Sequence, residues 1–231
     1  MLESSISAAR ASGARILLPG TLYNYGPDAF PLLREDSPQN PLTRKGKIRA
    51  EMERRLRVAA DSGVRSVVVR AGDFFGPSAG NNWFSQGLIK PGKPVTSISY
   101  PGRRGLGHAW AYLPDLAETM TQLVERESTL GVSETFHFAG HWDADGTQMT
   151  QAIRAAAGNP NIAVHSFPWP LVTLLSPFVT LLREMREMRY LWRQSLRLSN
   201  ERLSGVLTNV PQTPLHEAVR TTLTGLGCLQ S

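Results

Sequence analysis

In the stretch "PLTRKGKIRAEME" (residues 41–53), Lys47 falls in the first turn of a predicted amphipathic helix, four residues after Thr43. Moving a proton on or off a hydroxyl or carbonyl needs a group that titrates within reach of neutral pH, as a phenol beside an ammonium does. The aliphatic hydroxyl of Thr43 does not titrate there; Tyr23 and Tyr25, in the preceding loop, are the nearest phenols. Thr21 ends an apolar run, Asp73 follows another in "RAGDFFGP", and His108, Trp110 and Tyr112 alternate in "HAWAY". Each has a plain reading as well. Thr21 can satisfy backbone groups at a strand end, Lys47 can be a solvated first-turn residue, and Asp73 can cap a turn. The 108–112 alternation reads equally as a half-buried sheet face. His137 and His141 lack a carboxylate partner at ligand spacing, so no metal is expected.

The elements that must position these residues follow from periodicity. A helix over 4–12 stops at Gly13, and "RILLPG" (15–20) is a short apolar strand bounded by Gly and Pro. After a loop rich in Pro, Asp and Asn, residues 44–62 form a helix with Ile48, Met52, Leu56 and Ala59 on one face. Glu51 and Glu53 precede Arg55 and Arg57 by four, the spacing of ion pairs on a solvated helix face. The Val-rich "RSVVVRAG" (65–72) is a second buried strand, which completes a parallel β-α-β unit. Strands follow at 95–100, 134–140 and 162–168, with helices at 113–126, 147–158, 170–194, 199–205 and 214–227. The expected fold is therefore α/β: a partial Rossmann-like doubly wound parallel sheet with a small C-terminal α+β lobe. Residues 1–80 belong to the sheet domain, and 81–231 to a lobe that returns elements to the sheet at about 108–140.

Composition narrows the function classes. The chain has 231 residues, 41% of them hydrophobic and 19% charged, with a single cysteine, Cys228, so no disulfide framework can form. That suits a reducing compartment, and the opening residues carry no apolar leader, so a cytoplasmic location is expected. The net charge of +6 raises nucleic acid as a partner. Yet the one dense basic stretch, 44–57, is interleaved with acids, and no nucleic-acid partner is expected. The apolar run "PLVTLLSPFVTLL" (170–182) contains Pro177 and falls short of the roughly 20 residues that span a bilayer. It reads as core helix, with no membrane partner.

Four stretches together resemble the extended short-chain dehydrogenase/reductase family, the NAD-dependent epimerase/dehydratase group. "ILLPGTLYNYGP" is similar to a strand end carrying a catalytic Ser/Thr and a Tyr-Gly pair, which places Thr21 and Tyr25-Gly26. "TRKGKIRAE" puts Thr43 at the family's catalytic Tyr, Lys47 at its Lys and Glu51 at its acidic neighbour. "VVVRAGDFFGP" resembles Arg-x-x-Asn-x-x-Gly-Pro, with Asp73 in place of Asn, and "HAWAYLPDLAE" carries His108 where an Arg is common. The resemblance implies Thr21 and Lys47 as catalytic residues, with Thr43 an inactive replacement for the phenol and Tyr23 or Tyr25 the alternatives. It further implies Lys47, Gly72 and Asp73 at the cofactor, and Asp73, His108 and Trp110 at a small hydroxyl- or carbonyl-bearing substrate. Nothing in the sequence matches the family's Gly-rich pyrophosphate turn. The expectation is a truncated, inactive form whose full-length counterpart binds NAD or NADP, while this chain binds either weakly or not at all. A non-catalytic dinucleotide-sensing or scaffold relative is the alternative. "RILLPG" should then lie at an exposed sheet edge, and the oligomeric state is left open, with at most a weak dimer through helix 44–62.

Overall fold

The computed structural model describes residues 1–229. In chain order the regular elements are α1 (Leu2–Ser12), β1 (Ile16–Gly20), β2 (Leu32–Leu33), α2 (Arg44–Ala60), β3 (Ser66–Ala71), β4 (Asp73–Phe75), β5 (Ser97–Tyr100), β6 (His108–Tyr112) and α3 (Leu113–Glu125). Then come β7 (Ser133–Phe138), β8 (His141–Asp143), α4 (Gln148–Ala156), β9 (Ala163–Ser166), α5 (Trp169–Leu175), α6 (Thr180–Glu187), β10 (Arg197–Leu198), α7 (Glu201–Val206) and α8 (Leu215–Gly225).

The Val-rich β3 is buried along its whole length because it lies between β1 and β7 in an all-parallel sheet and is covered on both faces. Its side chains alternate between two apolar layers. Val68 joins Ile6, Ala9, Leu56 and Ala59 from α1 and α2 on one face. Val67 and Val69 join Leu116, Leu123, Leu203 and Leu207 from α3 and α7 on the other. Helices on both faces of a parallel sheet make the doubly wound α/β arrangement the sequence predicts. Among the described residues β1 pairs only with β3, so its outer edge is open.

A second body of structure is built on the short sheet β4–β6–β8 and the parallel pair β5–β9, with a core rich in aromatic residues that includes Phe75, Phe84, Trp110, Trp169 and Trp192. Here two expectations fail. Strand β6 is buried on both faces rather than half-buried, because β4 and β8 flank it and the aromatic core covers it. The run at 170–194 is not one core helix. It breaks after Leu175, with Pro177 in the break, into α5, α6 and a 3-10 turn at Met188–Trp192, and much of its apolar surface faces outward.

The apolar face assigned to α2 is corrected too. Ile48 is 52% exposed, whereas Gly46, Glu53, Leu56 and Ala59 are buried. Glu53 does not pair with Arg57. Its carboxylate lies 2.6 Å from Arg70 of β3, both side chains are no more than 3% exposed, and Asn24 donates to Glu53 Oε1 at 2.8 Å. The Arg70 guanidinium also bonds the Tyr25 hydroxyl, which in turn meets His137 Nε2 of β7 at 2.8 Å. This buried network ties α2, β3, β7 and the loop after β1 into one arrangement. Glu51 does pair with Arg55, at 2.8 Å, and also with Arg54.

Candidate active site

The carboxyl ends of β1 and β3 open onto a pocket walled on the other side by α6 and the turn at 188–192. Crevices at the carboxyl ends of parallel strands are where open α/β sheets bind ligands. Thr21 and Tyr23 reach it from the loop after β1, Gly72 and Asp73 from the junction of β3 and β4, His108 from β6 and Lys45 from the first turn of α2. Apolar walls come from Leu22, Trp83, Met185, Met188 and Leu191.

Its polar centre is the pair His108–Asp73. Imidazole Nε2 lies 2.8 Å from Asp73 Oδ2, and the ring stacks on Trp192 with centroids 3.7 Å apart and planes 8° from parallel. A carboxylate accepting from Nε2–H fixes the tautomer and leaves Nδ1 as the basic nitrogen. Thr21 lines the pocket, and its hydroxyl is buried and meets no protein partner. Burial, and secondarily the Asp73 carboxylate, pushes the Tyr23 phenol well above its ordinary pKa, so it stays protonated at neutral pH. The same two causes raise Tyr190.

The structure thus brings together four of the site residues the resemblance implies, Thr21, Gly72, Asp73 and His108, along with Tyr23, one of the two alternative phenols. Gly72 is required sterically, because a Cβ there would sit 2.3 Å from the Ala109 carbonyl oxygen of β6. The other three lie elsewhere. Lys47 is on the exposed face of α2, outside the pocket. Thr43 is the N-cap of α2, its buried hydroxyl accepting from the Gly46 amide at 3.0 Å. Trp110 is wholly buried behind His108, ring centroids 5.0 Å apart. Tyr25 belongs to the Arg70 network and not to the pocket. Sequence reasoning missed Lys45, whose ammonium is 2.8 Å from Glu184 of α6 across the pocket wall, and Trp192 behind His108. A second lysine in the same helical turn was the only available signal for Lys45; Trp192 had none.

The described residues do not fit a whole dinucleotide. Thr21 and Lys45 suit the polar end of a nicotinamide riboside, but β1 runs into a 3-10 turn at Leu22–Asn24, with no Gly-rich turn opening a helix for a pyrophosphate.

No protein-family model matches the chain, and no curated protein matches it. Solved structures do. One titled UDP-galactose 4-epimerase aligns over 98% of this chain and 67% of its own, at 13% identity and a TM-score of 0.65. MoeE5 in complex with UDP-glucose and NAD aligns over 97% and 69%, at 16% identity and 0.71. The GalE-like L-threonine dehydrogenase from Cupriavidus necator aligns over 97% and 77%, at 17% identity and 0.71. At such identities the likeness is one of fold, and the chain has the Rossmann-like fold of these epimerase and dehydrogenase structures over roughly two thirds to three quarters of their lengths.

Proposed function

We propose that this chain is the substrate-side part of an NAD(P)-dependent epimerase, dehydratase or oxidoreductase of the extended short-chain dehydrogenase/reductase type. Its substrate is a small hydroxyl or carbonyl compound with an apolar body. The observation that carries the reading is the unsatisfied Thr21 hydroxyl in one pocket with the His108–Asp73 pair at the carboxyl ends of two parallel strands. Thr21 orients the substrate oxygen, His108 holds or takes its proton, and Asp73 keeps the imidazole in the required tautomer. Hydride transfer is what a nicotinamide supplies in such proteins; the pyrophosphate turn to hold it would come from a segment or partner outside the described residues.

A specific observation favours a second reading, a non-catalytic dinucleotide-sensing or scaffold protein. The position expected to bear the catalytic phenol is a buried helix cap, Thr43, and the one phenol lining the pocket, Tyr23, is held protonated. One experiment separates the two. The natural protein, expressed from its own locus with whatever segments or partners accompany it, is assayed for NAD(P)-linked turnover of secondary alcohols, ketones and sugars. Turnover that falls about 10²–10⁴-fold in His108→Asn, the range for a lost acid–base group, supports catalysis. Dinucleotide binding without turnover supports the sensor, and turnover indifferent to His108→Asn rejects the assigned chemistry.

A further inference from the structure

Helices α5 and α6 pack against one another as a hairpin joined by Ser176–Val179, of which Ser176 is buried and Phe178 and Val179 are exposed. Large apolar side chains crowd its surface. Leu171, Leu174, Leu175, Phe178, Val179 and Leu181 are all exposed, and Phe178 is 85% exposed. Soluble proteins rarely leave so many large apolar groups contiguous without a binding surface to account for them. We propose that the α5–α6 hairpin is a docking element that seats the protein peripherally on an anionic membrane surface.

Three observations select a bilayer over another occupant. First, the amides of the connecting turn are bonded within the hairpin. Ser176 N–H donates to Val172 O at 2.9 Å, and the Phe178 and Val179 amides both donate to Leu175 O. The hydroxyls behave alike, with Thr173 donating to Trp169 O and Ser176 to Thr173 O. Each amide or hydroxyl so bonded lowers the cost of moving the turn from bulk water to the headgroup region.

Second, the charges around the patch are mainly positive. Arg183, Arg186 and Arg193 are exposed and pair with no carboxylate among the described residues. Of the nearby acids Glu184 is neutralised by Lys45, which leaves Glu187 as the opposing charge. A two-fold dimer through this face would bring the same arginines together from both copies, whereas anionic headgroups neutralise them. Third, α5 and α6 are short helices that carry exposed large apolar side chains, the kind of surface an element lying in the interface plane presents. No helix among the described residues is long and apolar enough to cross a membrane, so the attachment is to the surface. Because Leu181, Met185 and Met188 also wall the pocket, docking brings that wall to the lipid surface.

Flotation of the full 231-residue chain with vesicles tests this. One set is phosphatidylcholine alone, the other phosphatidylcholine and phosphatidylglycerol in equal parts. The expected result is flotation with the anionic vesicles only, weakened by added salt. Phe178→Asp should lower partition about tenfold or more, the value of burying one large apolar side chain. Arg183→Glu with Arg186→Glu should lower it on anionic vesicles. These positions are exposed, so each variant keeps the parent's thermal midpoint, and that measurement separates lost docking from lost folding. Absence of flotation, equal flotation on both vesicle types, or flotation unchanged in Phe178→Asp overturns the proposal. So does a dimer in sizing that Phe178→Asp dissolves without any vesicle binding.

Discussion

Two buried residues, Glu53 of α2 and His137 of β7, carry consequences that can be measured without knowing the substrate. Glu53 and Arg70 satisfy one another in a site closed to water, so removing one partner strands the other's charge. Glu53→Gln should therefore lose about 3–5 kcal/mol of unfolding free energy in urea melts; a loss below about 1 kcal/mol would mean that Asn24 and Tyr25 suffice to hold Arg70. His137 responds to pH. Burial, and then the Arg70 charge, depresses its pKa to about 3 from the usual 6.5. Between those values the unfolded chain binds the proton and the folded one does not, so stability is full above pH 6.5 and falls as pH falls toward 3. From pH 7 to 5 that amounts to about 2 kcal/mol. His137→Gln should flatten that part of the pH–stability curve. A slope unchanged in the variant would place the acid sensitivity in other groups.

At the scale of elements, what decides the site is how α2 meets the loop after β1. Gly46 makes the approach possible, since a Cβ there would lie 2.1 Å from the Tyr23 carbonyl oxygen. Gly46→Ala should thus push α2 off the loop, lowering stability by about 1–3 kcal/mol as overpacking does, while Ile48→Lys on the exposed face should change it by less than about 0.5 kcal/mol; equal effects of the two would contradict the packing described. The rotation of this helix was not legible in the sequence. Its buried face includes a glycine and a glutamate, which an apolar-stripe reading cannot choose, because Glu53 is buried only on account of Arg70, distant in the chain. The same rotation separates two lysines. Lys45 and Lys47 stand about 200° apart at roughly 100° per residue, so one lines the pocket and the other faces solvent. The strands were legible, since the Val-rich "SVVVRA" suits a doubly covered parallel strand. Thr21, Gly72 and Asp73 were legible for a related reason: each ends such a run, and the fold gathers the ends of parallel strands at one side. Trp192 and Met185 come from a distant segment packed there by the aromatic core, and no local pattern marks them.

For the molecule as a whole, the open outer edge of β1 and the lack of a pyrophosphate turn bear on the same quantity, the affinity of this chain for a dinucleotide. The groups able to touch one lie at the pocket: the Thr21 hydroxyl, the Asp73–His108 pair and Lys45, whose ammonium must first leave Glu184. Two or three hydrogen bonds at roughly 0.5–1.5 kcal/mol net each give about 1–4 kcal/mol. A millimolar complex already requires about 4.1 kcal/mol, and immobilising a flexible ligand adds an opposing entropic term. Isothermal titration of residues 1–231 with NADH and with NADPH should therefore give dissociation constants weaker than about 1 mM for both. Lys45→Ala should leave that weak binding unchanged, as the ion pair to Glu184 absorbs what the ammonium offers. A dissociation constant below about 100 μM, near 5.5 kcal/mol on the same scale, would require a phosphate-binding surface other than the pocket, and the open β1 edge is where substitutions should then abolish it.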